Sequence, residues 1–301
     1  MVTNRTTVDY KPNNAAPRHL VRRHWRKLAN RVPALVGLVI LASVVCMAIG
    51  APLVAPHDPF AQNLDGRLAP PTWAGGAYAN LLGTDQLGRD ELSRLIFGAR
   101  ISLLVGITAV FVAGATGVIV GLAAGFNGGL TDEVLMRFTD LMLALPFTLL
   151  IIAVIAVFGP SLVNVIMILG LTGWVPYARV VRAGVLSIRE REFIAAAKAV
   201  GASNLRVMLQ HILPNTIASA IVIGSVELAN MILLESSLSF LGLGVQPPTP
   251  SWGNMLGETR NYLMSDWWLA TFPGVAIAIT AVSINLAGDW IRDVLDPHLV
   301  T

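Results

Sequence analysis

The stretch ISLLVGITAVFVAGATGVIVGLAAGF, residues 101–126, contains no charged side chain and decides the fold. As an α-helix rising about 1.5 Å per residue, it is long enough to cross a hydrocarbon layer about 30 Å thick. Working outward, five further runs meet the same test, at residues 32–55, 134–158, 162–185, 216–243 and 267–291. The expected fold is an all-α polytopic membrane protein with six transmembrane helices. Composition agrees: of 301 residues, 54% are hydrophobic and 13% charged, and the mean hydropathy is +0.66. These values exclude an ordinary soluble domain and a disordered chain. The single cysteine, Cys46, lies in an apolar run and excludes a disulfide-stapled secreted domain. Membrane lipid is the expected surrounding, and no nucleic acid is expected as a partner.

Charge sets the expected orientation. Arg5, Lys11, Arg18, Arg22, Arg23, Arg26, Lys27 and Arg31 precede the first run, a preamble longer than that of a cleaved signal peptide. With this N-terminus in the cytoplasm, six crossings return the C-terminus to the cytoplasm, and sixteen Lys and Arg fall inside against five outside. The opposite orientation would violate the positive-inside rule. The chain then divides into a basic cytoplasmic segment (1–31), a first transmembrane helix (32–55), an extracytoplasmic loop (56–100) and a five-helix core (101–298). The outer loop carries LGTDQLGRDELSR from Leu82, in which Leu87, Glu91 and Arg94 suit a short interfacial helix.

The core includes a long cytoplasmic connection, 186–215, with the sequence REREFIAAAKAVGASNLRVMLQHILPN from Arg189. It reads as a helical hairpin: a short helix around Ala195, Ala196 and Ala197, a break at Gly201, a cap at Ser203, and a second helix stopped before Pro214. Gly201 tolerates the left-handed conformation of a helix end, Ser203 can accept a free N–H, and proline cannot continue the ladder. The alanines leave a shallow surface that a partner's cleft could approach, with Phe193 as apolar anchor and Glu190, Arg191, Glu192 and Lys198 setting orientation. Spacing alone leaves a second reading open, an ordinary charged loop between membrane helices.

The hairpin resembles the EAA loop of binding-protein-dependent ABC importers, although Ala195 stands where the loop's glutamate is usual and His211 where isoleucine is usual. Both departures resemble the peptide and nickel branch, in which an acidic-aromatic pair, here Glu192-Phe193, precedes the alanines and His-Ile-Leu-Pro-Asn follows. LGTDQLGRDELSRLIFGARISLLVG from Leu82, ESSLSFLGLGVQPPTPSWGNML from Glu235 and NLAGDWIRDVLDP from Asn285 resemble further signatures of that branch in the right order. The chain therefore resembles a DppC/OppC-type permease with a type I ABC importer fold. The resemblance implies a coupling surface at Glu192, Phe193, Ala195, Ala196, Ala197, Gly201, Ala202 and Ser203. It also implies a companion homologous permease, two ABC ATPase subunits or a fused ATPase, an extracytoplasmic substrate-binding protein, and a bacterial plasma membrane location. Its implied cargo is di- or oligopeptides, with nickel or another small solute as the alternative.

Chemistry of its own is not expected of this chain. It has three lysines, Lys11, Lys27 and Lys198, and none completes a P-loop; HExxH and GxSxG are also missing. No catalytic residue, metal or cofactor is assigned to it, and ATP and Mg are expected in the partner subunits. An ion-coupled secondary transporter is the rival class, with Asp140, Glu227 and Glu235 as the ionisable groups at membrane depth.

Other residues carry further expectations. Asp85, Arg89 and Asp90 are the candidate outer gate or binding-protein contact. Pro146, Ser236, Ser237 and Ser239 are the candidate translocation path, against the plainer reading that membrane serines bond to their own helix. Gly117, Gly121 and Gly125 recur every fourth residue and predict close helix packing, in this chain or against a companion. Pro146, Pro176 and Pro273 interrupt spans three, four and six, and Trp252, Trp267 and Trp268 read as interfacial aromatics.

Overall fold

The structure is a computed structural model that describes the backbone of residues 18–76 and 79–295 and the side chains of residues 32–76 and 79–294. The basic side chains from Arg5 to Arg31 lie outside the described residues. Among the described residues, five helices are long and apolar enough to cross a membrane, or six if one bent pair is a single span.

In chain order the main helices are α1 (Arg18–Ile49), α2 (Glu91–Asn127), α3 (Gly129–Ala144), α4 (Phe147–Phe158), α5 (Leu162–Thr172) and α6 (Val175–Arg189). After them come α7 (Glu192–Ala199), α8 (Asn204–Phe240), α9 (Trp252–Glu258) and α10 (Trp268–Leu295). Helix α2 is central and touches α1, α5, α6, α8, α9 and α10. Its glycines explain the closest of these contacts. A Cβ on Gly121 would stand 2.6 Å from the Ala178 carbonyl oxygen and 2.8 Å from Val181 Cβ, and one on Gly125 would stand 2.8 Å from Val185 Cβ. The stripe therefore seats α6 of the same chain. Lipid tails are as apolar as leucine, so such van der Waals contact, rather than the hydrophobic effect, holds spans together.

The third predicted span is broken. Helices α3 and α4 meet at 87°, because Pro146 forces Leu145 into extended backbone (φ −84°, ψ 134°) and itself caps α4. The fourth span contains the milder break between α5 and α6, with Pro176 in the first turn of α6. Leu141, Leu149, Val157 and Phe158 on the bent pair point outward, as do Val39 on α1 and Phe111 on α2.

Three sequence expectations need correction. Among the described residues of the 56–100 segment, no α-helix separate from the transmembrane helix forms around Leu87, Glu91 and Arg94. Asp90 accepts the Ser93 N–H at 2.8 Å and so starts α2 ten residues ahead of the predicted span, with Glu91 and Arg94 buried in its first turns. The second hairpin helix does not stop before Pro214. A π-helical stretch, Val207–Ile212, widens the backbone ladder just ahead of the proline, and the helix runs on to Phe240. Finally, Trp252 and Trp268 are buried, and the Trp252 indole donates to the Leu95 carbonyl at 3.0 Å; of the three tryptophans only Trp267 is exposed.

Candidate functional site

Helix α7 projects from one end of the bundle. Ile194 is its buried anchor, packed with Ile188, Val207 and Ile212. The opposite face, with Glu192, Phe193, Ala195 and Ala196, is exposed, and Ala197 and Ala202 are half-buried. Gly201 follows with φ +89°, a conformation that favours glycine, and the Ser203 hydroxyl accepts the Arg206 N–H. Two side chains fasten this end to α2. Arg189 donates to the Gly125 carbonyl at 3.2 Å, and the Lys198 ammonium sits 5.6 Å from the centroid of the Phe126 ring.

The other end of α2 is fixed by a buried charge cluster. Asp85 accepts the backbone N–H of Leu87 at 2.8 Å and of Arg89 at 2.9 Å, the Arg89 Nε at 2.6 Å, and Arg94 Nη1. Glu258, at the end of α9, accepts Arg89 at 2.7 Å and Arg94 at 2.8 Å. Asp90 stands apart from this exchange: besides capping α2 it accepts the Ser93 hydroxyl at 2.7 Å and the Asn80 amide at 2.8 Å. Asp85, Arg89 and Asp90 are each 3% exposed or less, so they shape the surrounding surface and present almost none of it.

Between these ends, a cavity of about 590 Å³ opens at the two helix breaks. Leu145 and Phe147 line it from the α3–α4 break, Gly173 and Pro176 from the α5–α6 break, and Glu227, Asn230 and Ser237 from α8. Pro146 makes the break without lining the cavity. The three serines separate: Ser237 lines the cavity, whereas Ser236 and Ser239 are buried and donate to Glu235, at 3.4 and 2.7 Å. Ser102 of α2 donates to the same carboxylate at 3.2 Å. Glu235 is thus a fully buried tie between α8 and α2. Among the described residues, no cluster of His, Cys, Asp or Glu is arranged to hold a metal ion.

The geometry is that of a helical bundle with an exposed helical hairpin at one end, a loop tied by a buried charge cluster at the other and a cavity between. Residues 117–301 match the family model described as the binding-protein-dependent transport system inner membrane component. The chain belongs to this family. Residues 20–71 also match the N-terminal TM domain of oligopeptide transport permease C. The permease is 43% identical to the di/tripeptide transport system permease protein DppC of Pseudomonas aeruginosa, over 93% of this chain and 92% of the relative. It is 45% identical to the dipeptide transport system permease protein DppC of Escherichia coli K12, over 93% of each. Among solved structures, the inward-facing MetNI methionine ABC transporter superposes with a TM-score of 0.55 at 18% identity, covering 67% of this chain and 96% of that one. That likeness is one of fold. The chain is a multi-pass inner-membrane permease component, and is not itself an ATPase.

Several residues of the permease that matter geometrically carry no sequence signal. Glu258 meets Arg94 across 164 residues of chain, a distance no local spacing rule reaches. Ile194 looks like any apolar residue of a short helix, and only the packing shows it as the anchor. Glu227 was visible as a membrane-depth acid, but its place in the cavity depends on two helix breaks elsewhere in the sequence.

Proposed function

We propose that this permease carries di- or oligopeptides inward across the bacterial plasma membrane, delivered by an extracytoplasmic binding protein and driven by ATP hydrolysed elsewhere. The observation that carries this reading is identity of 40 to 45% with peptide-transport DppC proteins over more than nine-tenths of the chain. A companion homologous permease and two ABC ATPase subunits, or a fused ATPase, complete the machine, and ATP and Mg bind to those subunits.

In this reading the α7 hairpin faces the cytoplasm and seats on an ATPase. Glu192, Phe193, Ala195 and Ala196 meet its cleft, while Ala197, Gly201, Ala202 and Ser203 hold the hairpin's shape. Closure of the ATPases moves α7, and its attachments to α2 pass the motion to the spans. ATP binding favours an outward-open state because the docked hairpin interacts differently with the two conformations. At the outer end, Asp85, Arg89 and Asp90 fix the loop against which the binding protein docks. Ser237 belongs to the translocation path, with Pro146 setting the bend beside it; Ser236 and Ser239 serve the path only through Glu235.

Purification of the native complex followed by reconstitution into liposomes tests the reading. Recovery of a second permease and P-loop ATPases, with ATP-dependent uptake of labelled dialanine in the presence of the binding protein, is the expected result. Uptake of nickel chelates but no peptide, or uptake driven by a proton gradient without ATPase subunits, would overturn it.

A further inference from the structure

The cavity at the helix breaks is lined mostly by apolar residues, and Glu227 is its acidic group. Asn230 and Ser237 lie three and ten positions further along α8, on the same face of the helix, and also line the cavity. Three other acids of the helices are answered from within the chain. Asp132 is held by Arg182 at 2.5 and 2.6 Å, Asp140 by Arg179 at 2.6 Å, and Glu235 by the hydroxyls of Ser102, Ser236 and Ser239. Among the described residues, Glu227 forms no ion pair. The Tyr177 hydroxyl, buried without a hydrogen-bond partner, packs against Gly224, one turn before Glu227.

An acid at membrane depth is costly without a countercharge, and here the cavity is the open side from which one can come. The lining decides what kind. A bare metal cation requires several oxygen ligands, and the wall offers a single carboxylate beside the neutral Thr172, Asn230 and Ser237, the rest being mostly apolar side chains such as Leu145, Phe147, Leu150, Met231 and Leu234. A small organic molecule bearing one ammonium fits both parts of the wall, and the volume is in the range of small-molecule sites. We propose that Glu227 is an ammonium subsite in the translocation path, receiving the protonated amino terminus of a short peptide, with Asn230 orienting the carboxylate. This assignment rests on the peptide-permease reading and adds to it a contact made inside the membrane.

The test uses the complete complex in liposomes with its binding protein, dialanine as cargo, and wild type, Glu227→Gln and Glu227→Asp permeases. Uptake by the wild type establishes the parent reading first; a wild type that takes up no peptide would overturn both. Glu227→Gln keeps size and polarity but removes the charge, and is expected to lower dialanine uptake about tenfold, the scale of one charge-assisted contact. ATPase activity stimulated by loaded binding protein stays within about twofold of wild type, since docking and coupling lie elsewhere, and Glu227→Asp restores much of the uptake. Wild-type uptake by Glu227→Gln would overturn the subsite while leaving the importer reading intact. Joint loss of uptake and stimulated ATPase in both variants would also overturn it, placing the side chain in packing against α6.

Discussion

Arg94 in the first turns of α2 and Glu258 at the end of α9 meet at 2.8 Å, and Arg89 joins the same carboxylate oxygen at 2.7 Å. The two guanidinium groups lie side by side because Asp85 and Glu258 flank them. Replacing Glu258 with alanine leaves both cations with Asp85 alone, and loss of one member of such a buried cluster costs about 3 kcal/mol or more. The expected outcome is a lower unfolding temperature of the purified complex and loss of binding-protein stimulation, with basal ATPase activity retained. An unchanged unfolding temperature would show that Asp85 alone suffices to hold the two cations.

The glycine stripe makes graded predictions. A Cβ on Gly114 would meet only the Tyr177 ring at 3.4 Å, an ordinary contact, whereas on Gly121 it would meet the Ala178 backbone at 2.6 Å. Gly114→Ala is therefore expected to assemble normally. Gly121→Leu is expected to push α6 from α2 at a cost of about 1–3 kcal/mol or more, read as lower yield and early unfolding on a thermal ramp.

Gly201 separates strain from crowding. Among the described residues, nothing lies within 4 Å of a Cβ built there, so its φ of +89° is what resists substitution. Gly201→Val is expected to insert and assemble but to lose import relative to ATP hydrolysis, while Gly201→Asn, better suited to positive φ, retains coupling. The ratio of peptide imported to ATP hydrolysed is the measurement, and equal ratios for all three proteins would remove the hairpin from coupling.

The serines of α8 should divide by position. Ser237→Phe projects into the cavity and is expected to block uptake while stimulated ATPase activity continues. Ser239→Ala removes the 2.7 Å donor to Glu235 and is expected to destabilise the complex by about 1–3 kcal/mol, the cost of an underpaired buried acceptor. Similar behaviour of the two variants in uptake and thermal unfolding would contradict the division.

Much of this architecture was legible in the sequence for a simple reason: a bilayer demands length and apolarity, and both are local properties. Gly117, Gly121 and Gly125 announced a close helix contact for the same reason, since a fourfold repeat occupies one helix face. What local pattern could not reach was burial by distant chain. Leu87, Glu91 and Arg94 have interfacial spacing, yet Glu258, far along the chain, draws Arg94 inward. Trp252 has the look of a belt residue, and α9 folds it beneath α2. Pro214 promised a helix end, but the π turn before it absorbed the ring. In the candidate path, one helix face does not hold three serines so close in sequence, and the turn sends Ser236 and Ser239 to Glu235.

The 37 residues of α2 give it a length of about 55 Å, nearly twice the hydrocarbon thickness. Its two ends are both gripped, by Arg189 and Lys198 at Gly125 and Phe126 and by Glu258 at Arg94. A helix held firmly at both tips cannot slide without dragging what grips it. Displacement of the hairpin and displacement of the charge-clamped loop are then two readings of one mechanical coordinate, so a spin-label pair at either end should report the same step of the transport cycle.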